Sequence, residues 1–260
     1  MGGAARRSVN HQLLNTIRMP VLEISNLKKS YVAPDGARSP VIDIPQFTLN
    51  AGEQVALAGA SGSGKTTLLH LIAGILTPDS GRVVVAGAEM TTLSEAGRDR
   101  LRARTIGYVF QTFNLLQGYT ALENVTLGQM FGCGADSRRA RELLARVGLS
   151  DRLNYRPRQL SIGQQQRVAV ARALANHPKL VLADEPTGNL DRRRAREALG
   201  LIREVCGENH AALLLVSHDQ DALSQFDLVV SLGQVNRALY AGTINEKAIG
   251  FSATGGARPN

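Results

Sequence analysis

Tryptophan is absent from this chain of 260 residues, cysteine occurs twice, and only 4% of residues are aromatic. Cys133 and Cys206 stand far apart, so a disulfide framework has no support and a reducing compartment, the cytosol, is expected. So few aromatics leave few platforms on which single-stranded bases could stack. Long apolar runs are missing too. The longest, such as residues 211–216, fall far short of the roughly 18 to 20 residues that a membrane-spanning helix requires. By this reading the chain does not cross a bilayer by itself. Lysine is scarce, limited to Lys28, Lys29, Lys65, Lys179 and Lys247, so the formal net charge of +8 is almost wholly arginine. Such a charge suits nucleic acid, an anionic membrane surface or an acidic substrate. The first 18 residues hold Arg6, Arg7 and Arg18 and no acid, and without them the charge is +5. What is plentiful is apolar side chain. At 43% hydrophobic, the chain can bury the core of one large domain or two small ones, which excludes a disordered tail protein.

Residues 1–18 read as a flexible polar extension without the apolar stretch of an export signal, and Met19 could be the true start. Strand-like runs follow at 19–31, 41–49, 54–58 and 82–85, separated by turn signals such as Asn50-Ala51-Gly52 and Pro78-Asp79-Ser80-Gly81. Later runs at 180–183, 212–216 and 228–232 are continuously apolar and alternate with helix-length segments. That pattern predicts a mainly parallel sheet covered on both faces, an α/β fold. Residues from about 112 to 176 lack such runs and carry helical spacing instead, as at 138–147 and 163–176, so they read as a helical insertion. No internal repeat or low-complexity tract is present.

Gly59-Ala60-Ser61-Gly62-Ser63-Gly64-Lys65-Thr66 fits G-x-x-x-x-G-K-[ST], directly after the run 54–58 and before a helical pattern at 65–73. Its glycines let backbone N–H groups and a helix N-terminus wrap phosphate oxygens. Lys65 then falls between the β and γ phosphates, and the Thr66 hydroxyl on Mg²⁺. A second element, Leu180-Val181-Leu182-Ala183-Asp184-Glu185, is an apolar strand ending in two carboxylates. Asp184 can hold Mg²⁺ through water, and Glu185 can orient and deprotonate the attacking water. Carboxylates also end strands simply by entering solvent; joined to the phosphate loop, the catalytic reading prevails.

A third element, Leu160-Ser161-Ile162-Gly163-Gln164-Gln165-Gln166-Arg167, is similar to the LSGGQ signature of the ATP-binding cassette family, and the chain resembles that family over roughly residues 19–243. Further landmarks stand in order. Tyr31 occupies the position of the adenine-stacking aromatic, Gln111 that of the Q-loop, Asn189-Leu190-Asp191 the D-loop, and His218 the switch histidine. Taken singly, Tyr31 would be an ordinary strand aromatic, Gln111 a polar cap and His218 a structural histidine; the ordered series lifts all three. The resemblance implies a P-loop NTPase fold: a parallel sheet core, an antiparallel β part and a helical insertion subdomain at about 112–176. It also implies ATP and Mg²⁺ as ligands. Catalysis falls to Glu185, His218 and Gln111; nucleotide contacts to Tyr31, residues 59–66 of the loop, Thr67, Ser161, Gly163 and Gln164; the cation to Thr66, Gln111 and Asp184. Two copies would pair head to tail, each ATP enclosed by one copy's phosphate loop and the other's signature. Ile162 departs from the pattern where Gly is expected. It is tolerable if only its N–H meets nucleotide, and strained if φ must be positive there.

Within the family, Gln111-Thr112-Phe113-Asn114-Leu115-Leu116 and Thr120-Ala121-Leu122-Glu123-Asn124-Val125 resemble one bacterial branch, the ATPases of lipoprotein-releasing, macrolide- or peptide-exporting and cell-division transporters. This implies an ATPase subunit at the cytoplasmic face of the inner membrane, powering separate permease subunits. A cleft lined by Phe113, Asn114, Leu115 and Leu116 is expected to receive a permease helix. The competing class is a soluble cassette ATPase acting on nucleic acid or ribosomes. Such proteins usually carry two cassettes, a long coiled coil or zinc modules, and none is present. The densest basic run, Arg192-Arg193-Arg194-Ala195-Arg196, spreads around a helix and reads as a solvated surface, so no specific nucleic acid is expected.

Overall fold

The computed structural model describes residues 20–239; the N-terminal extension and the tail at 244–260 lie outside them. The chain opens with β1 (Pro20–Val32) and β2 (Arg38–Asn50), a long antiparallel hairpin, followed by β3 (Gln54–Ala58). Helix α1 (Lys65–Ile72) leads to β4 (Ser80–Val85) and the short β5 (Ala88–Glu89). Then come α2 (Glu95–Thr105), β6 (Ile106–Val109), α3 (Ala121–Met130), α4 (Ser137–Arg146) and α5 (Ile162–Ala173). Strand β7 (Leu180–Asp184), α6 (Arg192–Glu208), β8 (Ala212–Ser217), α7 (Gln220–Leu223), β9 (Leu228–Ser231) and α8 (Leu232–Val235) complete it.

The strands form two sheets. One is antiparallel, in the order β2-β1-β4-β5; the other is parallel, in the order β6-β7-β8-β3-β9. The apolar runs of β3, β7 and β8 are uniform in sequence because both of their faces are covered. Alternate residues go to opposite sides. Val55, Leu57, Leu180, Leu182, Leu214 and Val216 pack against α1 and the antiparallel sheet. Ala56, Val181, Ala183, Leu213 and Leu215 pack against α5, α6 and the core of α3 and α4. Strand β6 escapes sequence reading, since four residues containing Gly107 give no periodicity; pairing with β7 makes it a strand. Arg98, Arg100, Arg102 and Arg104, which alternate in sequence, lie on helix α2, so they do not form one face.

Candidate active site

Chain direction in the parallel sheet brings the C-terminal ends of β3 and β7 side by side with β8 between them. The loop after β3 turns into α1 at Gly64, whose φ of 92° is left-handed and whose missing Cβ would lie 2.9 Å from Val41 Cγ1. Only glycine fits there. Lys65, buried, donates its Nζ to the carbonyls of Gly59 and Ala60 at 2.8 Å each and lies 3.1 Å from Glu185 Oε1. The other carboxylate oxygen, Oε2, is 2.9 Å from His218 Nδ1, at the end of β8. Glu185 therefore gives one oxygen to each of these two partners. Its backbone is left-handed too, at φ 41°, anchored by its N–H to the Val216 carbonyl and by its own carbonyl accepting from Gly188. Strain of this kind persists only where the surroundings hold it, and it concentrates at functional sites.

The two neighbouring carboxyls are pushed apart. Burial raises Glu185, but hydrogen bonds from His218 and Lys65 outweigh it and hold the group below the usual carboxylate range. Burial of Asp184, with the Glu185 charge beside it, raises its carboxyl above that range against a hydrogen bond from Thr66. Opposite shifts in adjacent acids suit different tasks.

Tyr31, Ser61, Gly62, Gly64, Lys65, Thr66, Thr67, Gln111, Asp184, Glu185 and His218 line one cleft of about 510 Å³. Gly59 and Ala60 serve it through the carbonyls on Lys65, while Ser63 is buried with an unpartnered hydroxyl. The Tyr31 ring is exposed, not packed away as a strand aromatic would be. Gln111 is held at the rim by Asn189, whose Nδ2 donates to the Gln111 carbonyl at 3.0 Å. Ser161, Gly163 and Gln164 are elsewhere, in a separate cleft of about 260 Å³ at the start of α5. There Ser161 and Gln164 cap the helix reciprocally, at 2.9 and 3.3 Å. Ile162 is the first residue of α5, half exposed, and is not among the positive-φ residues, so its branched side chain causes no backbone strain.

Two residues with roles here have none assigned from the sequence, although Gln166 stands within the signature run. Val41 lines the cleft from β2, and Gln166, buried, ties α5 to the loop after Glu185 through Nε2 to the Pro186 carbonyl at 2.8 Å. The expected permease cleft needs correcting. Phe113 and Leu115 are 6% and 7% exposed, turned into the core, and only Asn114 and Leu116 remain accessible. A groove of about 610 Å³ lies beside them instead, lined by Ile75, Arg100, Phe110, Asn114, Phe131 and Arg172, among others.

Known proteins match this architecture. The family model described as ABC transporter matches residues 42–188, more than half of the chain. A lipoprotein-releasing system ATP-binding protein, LolD, of Pseudomonas syringae pv. tomato is 46% identical over 82% of this chain and 94% of its own length. LolD 2 of Rhodospirillum rubrum is 47% identical over 77% and 88%. Among solved structures, the ATP-binding cassette MJ0796, a dimer in a post-hydrolysis state bound to ADP and Pi, superposes with a TM-score of 0.72 at 35% identity, covering 81% of this chain and 94% of that one. With this fold, this site and these relatives, the chain belongs to the ABC transporter family.

Proposed function

We propose that the chain is the ATP-hydrolysing subunit of a lipoprotein-releasing transporter, coupled to separate permease subunits. The observation that carries this is the Glu185 carboxylate, held between Lys65 and His218 inside the cleft that Tyr31 and the phosphate loop share. Phosphate oxygens entering the loop draw the Lys65 ammonium to themselves, and Glu185 Oε1 is released to accept a proton from water. His218 keeps hold of Oε2, so the base stays oriented while it works. Thr66 and Asp184 already share a side-chain hydrogen bond, and with Gln111 they offer hard oxygen donors that suit Mg²⁺. Bound there, the cation would neutralise charge developing on the transferred phosphoryl group.

The signature cleft supports a head-to-tail pair. A Cβ on Gly163 would meet nothing within 4 Å among the described residues, which leaves room there for a nucleotide phosphate held by a second copy. We assign the nucleotide-binding unit to residues 19–243, with its helical subdomain at about 112–176. No helix among the described residues is long and apolar enough to cross a membrane. Attachment at the cytoplasmic face then falls to the permease, seated in the groove beside Phe131. The nucleic-acid alternative loses its main support, because three of the four charges of the basic run are offset locally. Arg192 and Arg196 face Asp221, Arg193 pairs with Glu197, and Arg194 pairs with Asp191.

Substituting Glu185→Gln tests the reading. The variant should bind ATP as the parent does and sediment as a dimer in its presence, with turnover reduced at least 100-fold. Full turnover would remove Glu185 as the base, and absence of ATP binding in the parent would overturn the function.

A further inference from the structure

Arg172 lies in the last turn of α5, the helix that Ser161 caps. Its guanidinium donates through Nη1 to the Asn114 carbonyl and through Nη2 to the Phe113 carbonyl, both at 2.6 Å. Phe113 and Asn114 are consecutive left-handed residues, at φ 59° and 48°, a conformation that side-chain-bearing residues keep only when something holds them. Among the described residues no carboxylate pairs with Arg172, and partial burial depresses its pKa, so a partly desolvated charge is committed to two main-chain oxygens. The route to them is kept open by α3. A Cβ on Gly128 would come within 2.9 Å of Arg172 Cγ, near the rigid root of that side chain. Arg172, Asn114 and Phe131 also line the groove assigned above to the permease. Two residues before Phe113 stands Gln111, at the rim of the nucleotide cleft.

We infer that Arg172 is a positioning residue that couples the permease groove to the nucleotide cleft, locking the segment after Gln111 to the helix that carries Ser161. The inference rests on the nucleotide reading of that cleft. A planar fork meets two adjacent carbonyls with two N–H groups held in fixed geometry, whereas the compact ammonium of lysine, on a flexible stem, lacks that fixed spacing. Any shift of the left-handed pair then moves Gln111 and the signature helix together.

Because the chain has no tryptophan, Phe131→Trp places a single tryptophan in the groove, excited at wavelengths where tyrosine does not absorb. Titration with the ATP analogue AMP-PNP and Mg²⁺ should change its emission. Adding Arg172→Lys should cut that amplitude at least fivefold while the analogue's affinity, from calorimetry, stays within threefold of the parent. Gly128→Ala, a substitution that favours helix, should cut the amplitude in the same way by displacing Arg172, and it decides the matter if Arg172→Lys does not fold. A residue with a merely structural role would lower melting temperature and leave the amplitude intact. Unchanged amplitude in both variants, or a silent reporter in a parent that binds the analogue, overturns the inference. A parent that binds no analogue overturns the proposed function instead.

Discussion

Asp184 and Glu185 are neighbours in sequence with opposite electrostatic fates, and the difference is testable on Asp184. Its raised pKa means that the folded protein binds more protons than the unfolded chain between the ordinary aspartate value of 3.8 and the raised one. Stability therefore falls as pH rises through that window, and the full deficit is present above it. Asp184→Asn removes the charge while its carbonyl can still accept from Thr66. The nucleotide-free variant should melt higher than the parent at pH 7 to 8, with the gap closing as pH drops below the window. Melting curves across a buffer series check this, and a gap independent of pH would contradict it. ATPase activity should fall in the same variant, because a stabilised fold and a weakened cation site have one cause. Lys65 and Glu185 show the same economy: they pair at 3.1 Å, and in the proposed function each is released when phosphate arrives.

Helix α5 has two occupations at its first turn, capping its own N–H groups and presenting Ser161 outward. Different substitutions separate them. Ser161→Ala loses the cap and should cost about 1 kcal/mol, roughly 2 to 4 °C for a domain of this size. Ser161→Asp keeps a good capping oxygen but faces incoming phosphate with a negative charge, so it should melt like the parent and lose ATP-dependent dimerisation. Calorimetry and sedimentation with ATP distinguish them; an aspartate variant that still dimerises would show that Ser161 does not meet phosphate. Helix α6 illustrates the opposite case. Four arginines crowd its first five residues, yet carboxylates of Asp191, Glu197 and Asp221 offset three of the four charges, which leaves a weak basic surface to recruit a polyanion.

At the scale of the molecule, the cleft of the phosphate loop and the cleft of Ser161 open separately, and in the proposed function each is completed by a second copy. The groove proposed to seat the permease is a third surface. Phe131, 78% exposed within it, packs against little of its own chain. Phe131→Asp should leave the melting temperature within about 1 °C and reduce co-purification with the permease at least tenfold. Undiminished co-purification would move the seat elsewhere. Burial of Cys206, which pushes its thiol up to about 12, leaves exposed Cys133 as the reactive one of the pair.

By itself the sequence determined the chemistry. Phosphate binding needs glycines, a lysine and a hydroxyl at fixed spacing on one short loop, so residues 59–66 declare themselves locally, as do Asp184-Glu185 and the signature run around Ser161. The two-faced sheet was legible as well, because burial on both sides leaves uniformly apolar strands. Only the tertiary structure decided which distant groups meet: His218 and Lys65 on the two oxygens of one carboxylate, Val41 beneath Gly64, Arg172 on the carbonyls of Phe113 and Asn114. It also reversed the expectation for Phe113 and Leu115, since an apolar side chain in a loop can face either a partner or the core. Local pattern cannot distinguish the two, whereas the packing of α3 and α5 turns both side chains inward. Spacing along the chain records what one segment can bind, and contact across the fold records what it is bound to.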